Sequence, residues 1–227
     1  MHTLTVKMNQ EEKIAAINIS DIEVINRISQ GEKNLYVVIV RRYNQRLYRV
    51  GMSILNDDTD VQDAMQVAYI NAYENLQKFA FKSNFSTWLT RILINECLLR
   101  LKRREKTITM SENNMENELQ NWPAGEPQTP VTKILNSELK NILDDVIRRL
   151  PEIYRTVFVM REIENMNVAE TQECLAISEV NVKVRLNRAK AMLRNLLSHY
   201  YKNEDILHFH LSKCDRMVEV VMSRILI

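Results

Sequence analysis

The chain has 227 residues, a formal net charge of +2 and 45% hydrophobic residues, enough apolar material for one or two domains with cores of their own. With only 3 glycines and 4 prolines, and apolar residues recurring at helical spacing with almost no alternation, the pattern predicts an all-α protein. No run of about 18 apolar residues occurs and the N-terminal stretch MHTLTVKMNQEEKIAAINIS has no apolar signal core, which argues against export and membrane insertion. Cys97, Cys174 and Cys214 are odd in number and far apart, so neither a disulfide framework nor a metal ribbon is expected, and a reducing cytoplasm fits best.

In chain order, residues 1–20 read as an N-terminal extension. DIEVINRISQG is a short helix stopped by Gly31, and NLYVVIVRRYNQRLYRVGMSIL a longer one. Asp57 and Asp58 start a third helix, DVQDAMQVAYINAYENLQKF, and after the connector AFKSN a fourth runs through FSTWLTRILINECLLRLKRR. These helices make a first domain over residues 21–104. Residues 105–131 read as a flexible linker: Glu105, Glu112, Glu116, Glu118 and Glu126 face the single base Lys106, and Pro123, Pro127, Pro130 and Gly125 interrupt the run.

A second domain over residues 132–200 opens with the helix VTKILNSELKNILDDVIRRL. Pro151 suits the first turn of the next helix, PEIYRTVFVMREIE, because its missing N–H has no helical partner there anyway. VAETQECL, AIS and EVNVKVRLNRAKAMLRNLL then read as short helix, tight turn and long helix. A helical tail covers residues 201–227, and no internal repeat is present.

The long helix is unusually basic. With about 100° per residue, Val182, Leu186, Ala189 and Leu193 share the core face. Lys183, Lys190 and Arg194 fall on one flank and Arg185 and Arg188 on the other, while Val180, Val184 and Ala191 form a smooth outward ridge. A small apolar ridge between cations suits a DNA major groove, where phosphate walls attract the cations and thymine methyls meet the ridge. Short helix, tight turn and reading helix is the helix-turn-helix order. The competing reading is a solvated basic face on a bundle helix.

In the fourth helix, Thr87, Trp88, Arg91, Asn95 and Lys102 cluster in one sector. An aromatic face, a cation and an amide together suit unstacked single-stranded nucleic acid. The alternative is a Trp88 that packs in the core.

Over about residues 25–200 the chain resembles bacterial RNA polymerase sigma factors of the extracytoplasmic-function (ECF) type, in the sigma-70 family. DVQDAMQVAYINAYENLQKF with FSTWLTRILINECLLRLKRR is similar to their domain two, and LPEIYRTVFVMREIENMNVAETQECLAISEVNVKVRLNRAKAML to their domain four. The resemblance implies core RNA polymerase and promoter DNA as partners, with an anti-sigma factor as a further candidate. Domain two would grip the polymerase and capture melted −10 bases; domain four would read the −35 duplex.

By that resemblance Phe79, Ser83, Trp88, Arg91 and Asn95 face −10 DNA, with KFAFKSN as the loop that holds a flipped base. Asn181, Lys183, Val184, Arg185, Arg188 and Lys190 face −35 DNA, and Asp63 and Gln66 face polymerase. The chain departs from the family at Val180, Asn181 and Val184, where Gly and Ser or Thr are usual, at Phe81, where Gly is common, and at Val67, where an acid often stands.

In the tail, His208, His210 and Cys214 offer three ligands where a structural zinc site wants four. Asp215 is better placed to cap a helix whose Met217, Val218, Val221, Met222 and Ile225 dock on the protein. No phosphate-cradling glycine loop, paired metal motif or nucleophile elbow occurs, so neither an enzyme nor a cofactor is expected. The rival function is a helix-turn-helix regulator that binds duplex DNA without polymerase, for which the first domain would have no use.

Overall fold

The computed structural model describes residues 19–110, 132–198 and 211–225. The rest of the expected extension, linker and tail, with His208 and His210, lies outside the described residues. Those described form helices and connecting turns: two helical domains packed against each other.

Helix α1 (Asp21–Ser29) begins at Ser20, whose hydroxyl accepts from the Glu23 N–H at 3.2 Å, and the chain turns at Gly31 with φ +111°, a conformation open to glycine at little cost. Helix α2 (Tyr36–Leu55) ends at Asn56 in the left-handed region. Asp57 starts α3 (Asp58–Glu74) by accepting from the Asp60 N–H at 2.8 Å. A single tight turn, Leu76–Lys78, leads to α4, which runs from Phe85 to Met110. The helix therefore enters the stretch whose acids and prolines suggest linker; the prolines themselves begin only at Pro123.

In the second half, α5 spans Thr132–Arg148. Helix α6 (Glu152–Phe158) follows Pro151 and continues as a wider π-helical turn, Val159–Ile163. Helix α7 (Val168–Leu175) opens with a reciprocal capping box between Asn167 and Glu170. Ala176, at φ +52°, turns the chain into α8 (Glu179–Leu197), and α9 spans Leu211–Ile225.

The larger core joins α1–α4 through Val24, Ile39, Leu47, Val61, Leu89 and Ile94. Helices α2 and α3 touch closely at Gly51, where a Cβ would lie 2.8 Å from Val61 Cγ1. Met160, Met166 and Cys174 belong to this same core, so the second half contributes to the first. A smaller core of Val146, Leu150, Ala189 and Leu193 holds α5 against α8.

Buried polar groups bridge the halves. The Arg155 side chain, 7% exposed, donates from Nε to the Ser53 carbonyl at 2.7 Å and from Nη1 to the Arg148 and Leu150 carbonyls at 2.8 and 3.2 Å. The Ser53 and Arg148 carbonyls lie in the last turns of α2 and α5, where helical carbonyls lack in-helix partners and a cation is favoured. Nearby, the buried Glu164 carboxylate accepts from Arg49 at 3.0 Å and pairs with Arg46 at 3.4 Å.

Arg155→Met would strip the Arg148 and Leu150 carbonyls of this donor and leave the Ser53 carbonyl with only the Thr156 hydroxyl, at 3.2 Å. A buried acceptor stripped of its partner costs about 1–3 kcal/mol, so a loss on the order of 3 kcal/mol is expected in urea unfolding. Equal midpoints for the variant and the parent would show that the guanidinium does not hold the halves together.

Candidate nucleic-acid interface

Helix α8 is set by the turn before it. Ala176 reverses the chain after α7, and the Ser178 hydroxyl accepts from the Asn181 N–H at 3.3 Å, which fixes where α8 starts and so which face turns outward. Val182, Ala189 and Leu193 are buried and Leu186 is half-buried, as the core stripe requires. Val180 and Val184 are 68% and 40% exposed, so the outward ridge exists.

Its flanking cations are lightly held. Lys183 pairs with Glu179 at 2.6 Å, and this keeps the Glu179 carboxyl below the usual carboxylate range. Lys190 pairs with Glu162 at 2.9 Å, and Arg188 donates to the Tyr154 hydroxyl at 3.4 Å. Asn181 is exposed and Arg185 half-buried. Exposed ion pairs of this kind contribute about 0–1 kcal/mol, so exchanging a carboxylate for a phosphate costs little.

On α4, Arg91 and Asn95 are exposed one turn apart, as the sector requires. Trp88 is half-buried, its ring 5.3 Å from Phe79 and 5.6 Å from Phe85. It therefore packs on the core with part of its surface open. Two expectations change. Phe79 is only 6% exposed and lies under the aromatic cluster, where it cannot present a face to a base. Thr87, 1% exposed, belongs to the junction with α7 and leaves the open sector. Ser83 is half-buried in the loop.

Two residues of this region escape periodicity because loop geometry places them. Phe81 is 50% exposed at φ +54°. The Asn84 amide donates to Glu170 Oε1 at 2.9 Å. The cue in the sequence was Phe81 itself, an aromatic where glycine is common.

Helix α7 lies across α4. Glu170 reaches Asn84 and, at 3.5 Å, the Thr87 hydroxyl, and Glu173 stands 3.9 Å from Arg91. Cys174 Sγ–H donates to the Thr87 carbonyl at 3.4 Å; burial, helped by Glu173 and Glu170, pushes its thiol up to about 12. Carboxylates thus sit on the Arg91 cation and the Asn84 amide beside the face expected to meet DNA. No sequence window could show this, since the partners are more than 80 residues apart.

On α3, Asp63 and Gln66 are both exposed. Asp63 stands 3.8 Å from Arg100 of α4. Gln66 lines an open cleft between α2 and α3 with Val40, Asn44, Tyr48, Met65 and Tyr69. An amide above an apolar floor can bind a protein surface.

The tail differs from expectation. Helix α9 begins at Leu211, so Asp215 lies inside it and is not its cap. Met217, Val218, Val221 and Met222 are 42–55% exposed, and the expected docking of this stripe is not seen. Among the described residues no group of three His, Cys, Asp or Glu is arranged to hold a metal ion, and no helix is long and apolar enough to cross a membrane.

Comparison with known proteins follows the same division. Residues 39–107 match the family model of sigma-70 region 2 and residues 140–193 that of sigma-70 region 4. The chain is 28% identical over 184 residues to an ECF RNA polymerase sigma-E factor of Haemophilus influenzae, covering 79% of this chain and 96% of the relative. It is 28% identical over 176 residues to the ECF sigma factor SigW of Bacillus subtilis, covering 76% and 94%. The fold is similar to that of the Bartonella quintana sigma factor RpoE, solved with the anti-sigma factor NepR, with a TM-score of 0.58 at 18% identity over 70% of this chain and 94% of that one. The candidate faces on α4 and α8 both fall inside the matched segments, and the chain belongs to the sigma-70 family, as a sigma factor of the ECF type.

Proposed function

We infer that the chain binds core RNA polymerase and directs promoter-specific initiation, reading −35 duplex with α8 and melted −10 DNA with the α4 face and its loop. As a sigma factor it is a non-catalytic subunit acting in the cytoplasm on polymerase and promoter DNA. The observation that supports this reading is that two separate exposed, cation-bearing faces, on α4 and on α8, each lie inside their own family match. A regulator that binds duplex alone has no use for the first. Domain two is assigned to residues 21–104 and domain four to 132–200.

Lys183, Arg185, Arg188 and Lys190 meet −35 phosphates, with Asn181 and Val184 toward base edges. Trp88, Arg91 and Asn95 meet −10 DNA, with Ser83 at the loop. Asp63 and Gln66 contact polymerase, the cleft beside Gln66 receiving an apolar group. Because Glu170 and Glu173 sit over Asn84, Thr87 and Arg91, α7 leaves α4 before −10 DNA enters. An anti-sigma factor that prolongs the closed arrangement would act by the same contacts. Transcription by core polymerase with and without the protein decides between this function and the duplex-only regulator.

Lys183→Ala and Arg188→Ala are each expected to weaken −35 duplex binding and to lower the log–log salt slope by about 1. Unchanged slopes in both would remove the phosphate contacts. Asn95→Ala is expected to flatten the ranking of single-base −10 variants in open-complex formation, by about 1–3 kcal/mol at the base it reads, taking duplex contacts as guide, with polymerase affinity retained. Retention of the parent ranking would assign Asn95 no reading role.

Opening is measurable at Cys174. In a Cys214→Ser chain, Cys174 and Cys97 are both buried, but only Cys174 lies at the contact between α7 and α4. Thiol labelling of Cys174 should be slow in the free protein and faster in the polymerase-bound protein, with Cys97 slow in both. Equally slow Cys174 labelling in a transcribing complex would show that α7 stays on α4.

A further inference from the structure

We propose that α9 folds back on its own chain and closes the open end of the smaller core, laying its Val218 and Val221 face on Leu139 and Leu143 of α5. Helix α9 lies outside both family matches, so the DNA readings do not bear on it.

Two apolar surfaces of the second half lack cover. On α9, every residue from Arg216 to Ser223 is exposed, and none belongs to either core. A helix of 15 residues is marginal in water by itself, and an amphipathic one draws its stability from packing its apolar face. On α5, Leu139 and Leu143 stand one turn apart and are 42% and 38% exposed. Leu139 precedes the buried Val146 by two turns and shares its face. The smaller core therefore runs out of cover before α5 runs out of apolar residues.

The path of the chain brings the two surfaces together. Arg188 of α8 reaches Tyr154, just past the end of α5, while Leu193, Leu196 and Leu197 pack in the smaller core with Ile142. Helix α8 thus runs back along α5 and ends beside the uncovered turns. Residues 199–210 join that end to α9. A segment of that length spans up to about 40 Å and holds α9 near α5 at roughly millimolar effective concentration. The chain's own α9 therefore outcompetes that of a second copy at micromolar protein. Val184 precedes Leu196 by about 18 Å along α8, so a docked α9 leaves the outward ridge open.

The test uses the full chain with Cys214→Ser and one introduced cysteine on each helix, treated with a short bismaleimide at micromolar protein. Glu219→Cys on α9 is paired with Lys140→Cys or Asp144→Cys on α5, all at exposed positions. Cys97 and Cys174 are buried, and chains with a single introduced cysteine serve as controls. At least one pair should link within one chain. Val221→Asp and Leu143→Asp should each slow that linkage on the order of tenfold, because a carboxylate is costly against an apolar surface, while Val221→Ile and Leu143→Met should link like the parent. In urea, Val221→Asp and Leu143→Asp should each lower the unfolding midpoint, and together by less than the sum, as partners in one contact do. Absence of linkage in both pairs, linkage indifferent to both aspartates, or additive midpoints would overturn the contact. Linkage only between two chains would overturn it in favour of a second copy.

Discussion

The arrangement turns on one guanidinium. Arg155 comes from the domain that carries α8, yet its Nε caps the end of α2 in the other domain at Ser53 while Nη1 caps the end of α5 at Arg148 and Leu150. The terminal carbonyls of a helix have no partners of their own and carry the negative end of its dipole. A buried cation is tolerable only where such acceptors surround it, and two helix ends meeting at one point provide them. A lysine could offer charge there but not the planar fork that reaches separate carbonyls. With Arg155 in place, α6 lies against α2, the π-turn after it brings Glu164 to Arg46 and Arg49, and α7 lies across α4.

Charge along the helix-turn-helix then takes on a division of labour. Its first helix presents Glu170 and Glu173, and its second presents Lys183, Arg185, Arg188 and Lys190. The acidic helix lies on the Asn84 amide and the Arg91 cation beside α4, while the basic helix keeps its outward face open to solvent. Carboxylates at those positions offer the same hydrogen-bond acceptors and sign as backbone phosphate. The near-neutral net charge of +2 conceals this, because the opposing charges lie mostly on neighbouring helices, Glu179 at the start of α8 being the acid within the basic one.

Helix class, helix order and the outward ridge were legible from periodicity, because Val182, Ala189 and Leu193 recur at core spacing and Asp57 marks a helix start with a side-chain acceptor. The Trp88 sector was legible only in part. A helical wheel puts Thr87 beside Trp88, but burial of Thr87 is decided by α7, which no local pattern contains. Phe79 and Phe81 look equivalent in KFAFKSN; the left-handed backbone at Phe81 turns one ring inward and leaves the other outside. The apolar stripe on α9 predicted docking from hydrophobicity alone, and hydrophobicity does not name a partner.

Burial also orders the contacts by strength. Arg155 and Glu164 are nearly inaccessible, at 7% and 9% exposure, and breaking either would strand buried polar groups at a cost of about 1–3 kcal/mol each. The contact between Arg91 and Glu173 is long and open, with side chains 54% and 39% exposed, a setting where ion pairs contribute about 0–1 kcal/mol and salt screens them. The cover that α7 makes over α4 is therefore held weakly at its edge and strongly at its root. A ligand that competed for Arg91 would meet the weak edge first, while the cost of separating the domains resides at the end of α2.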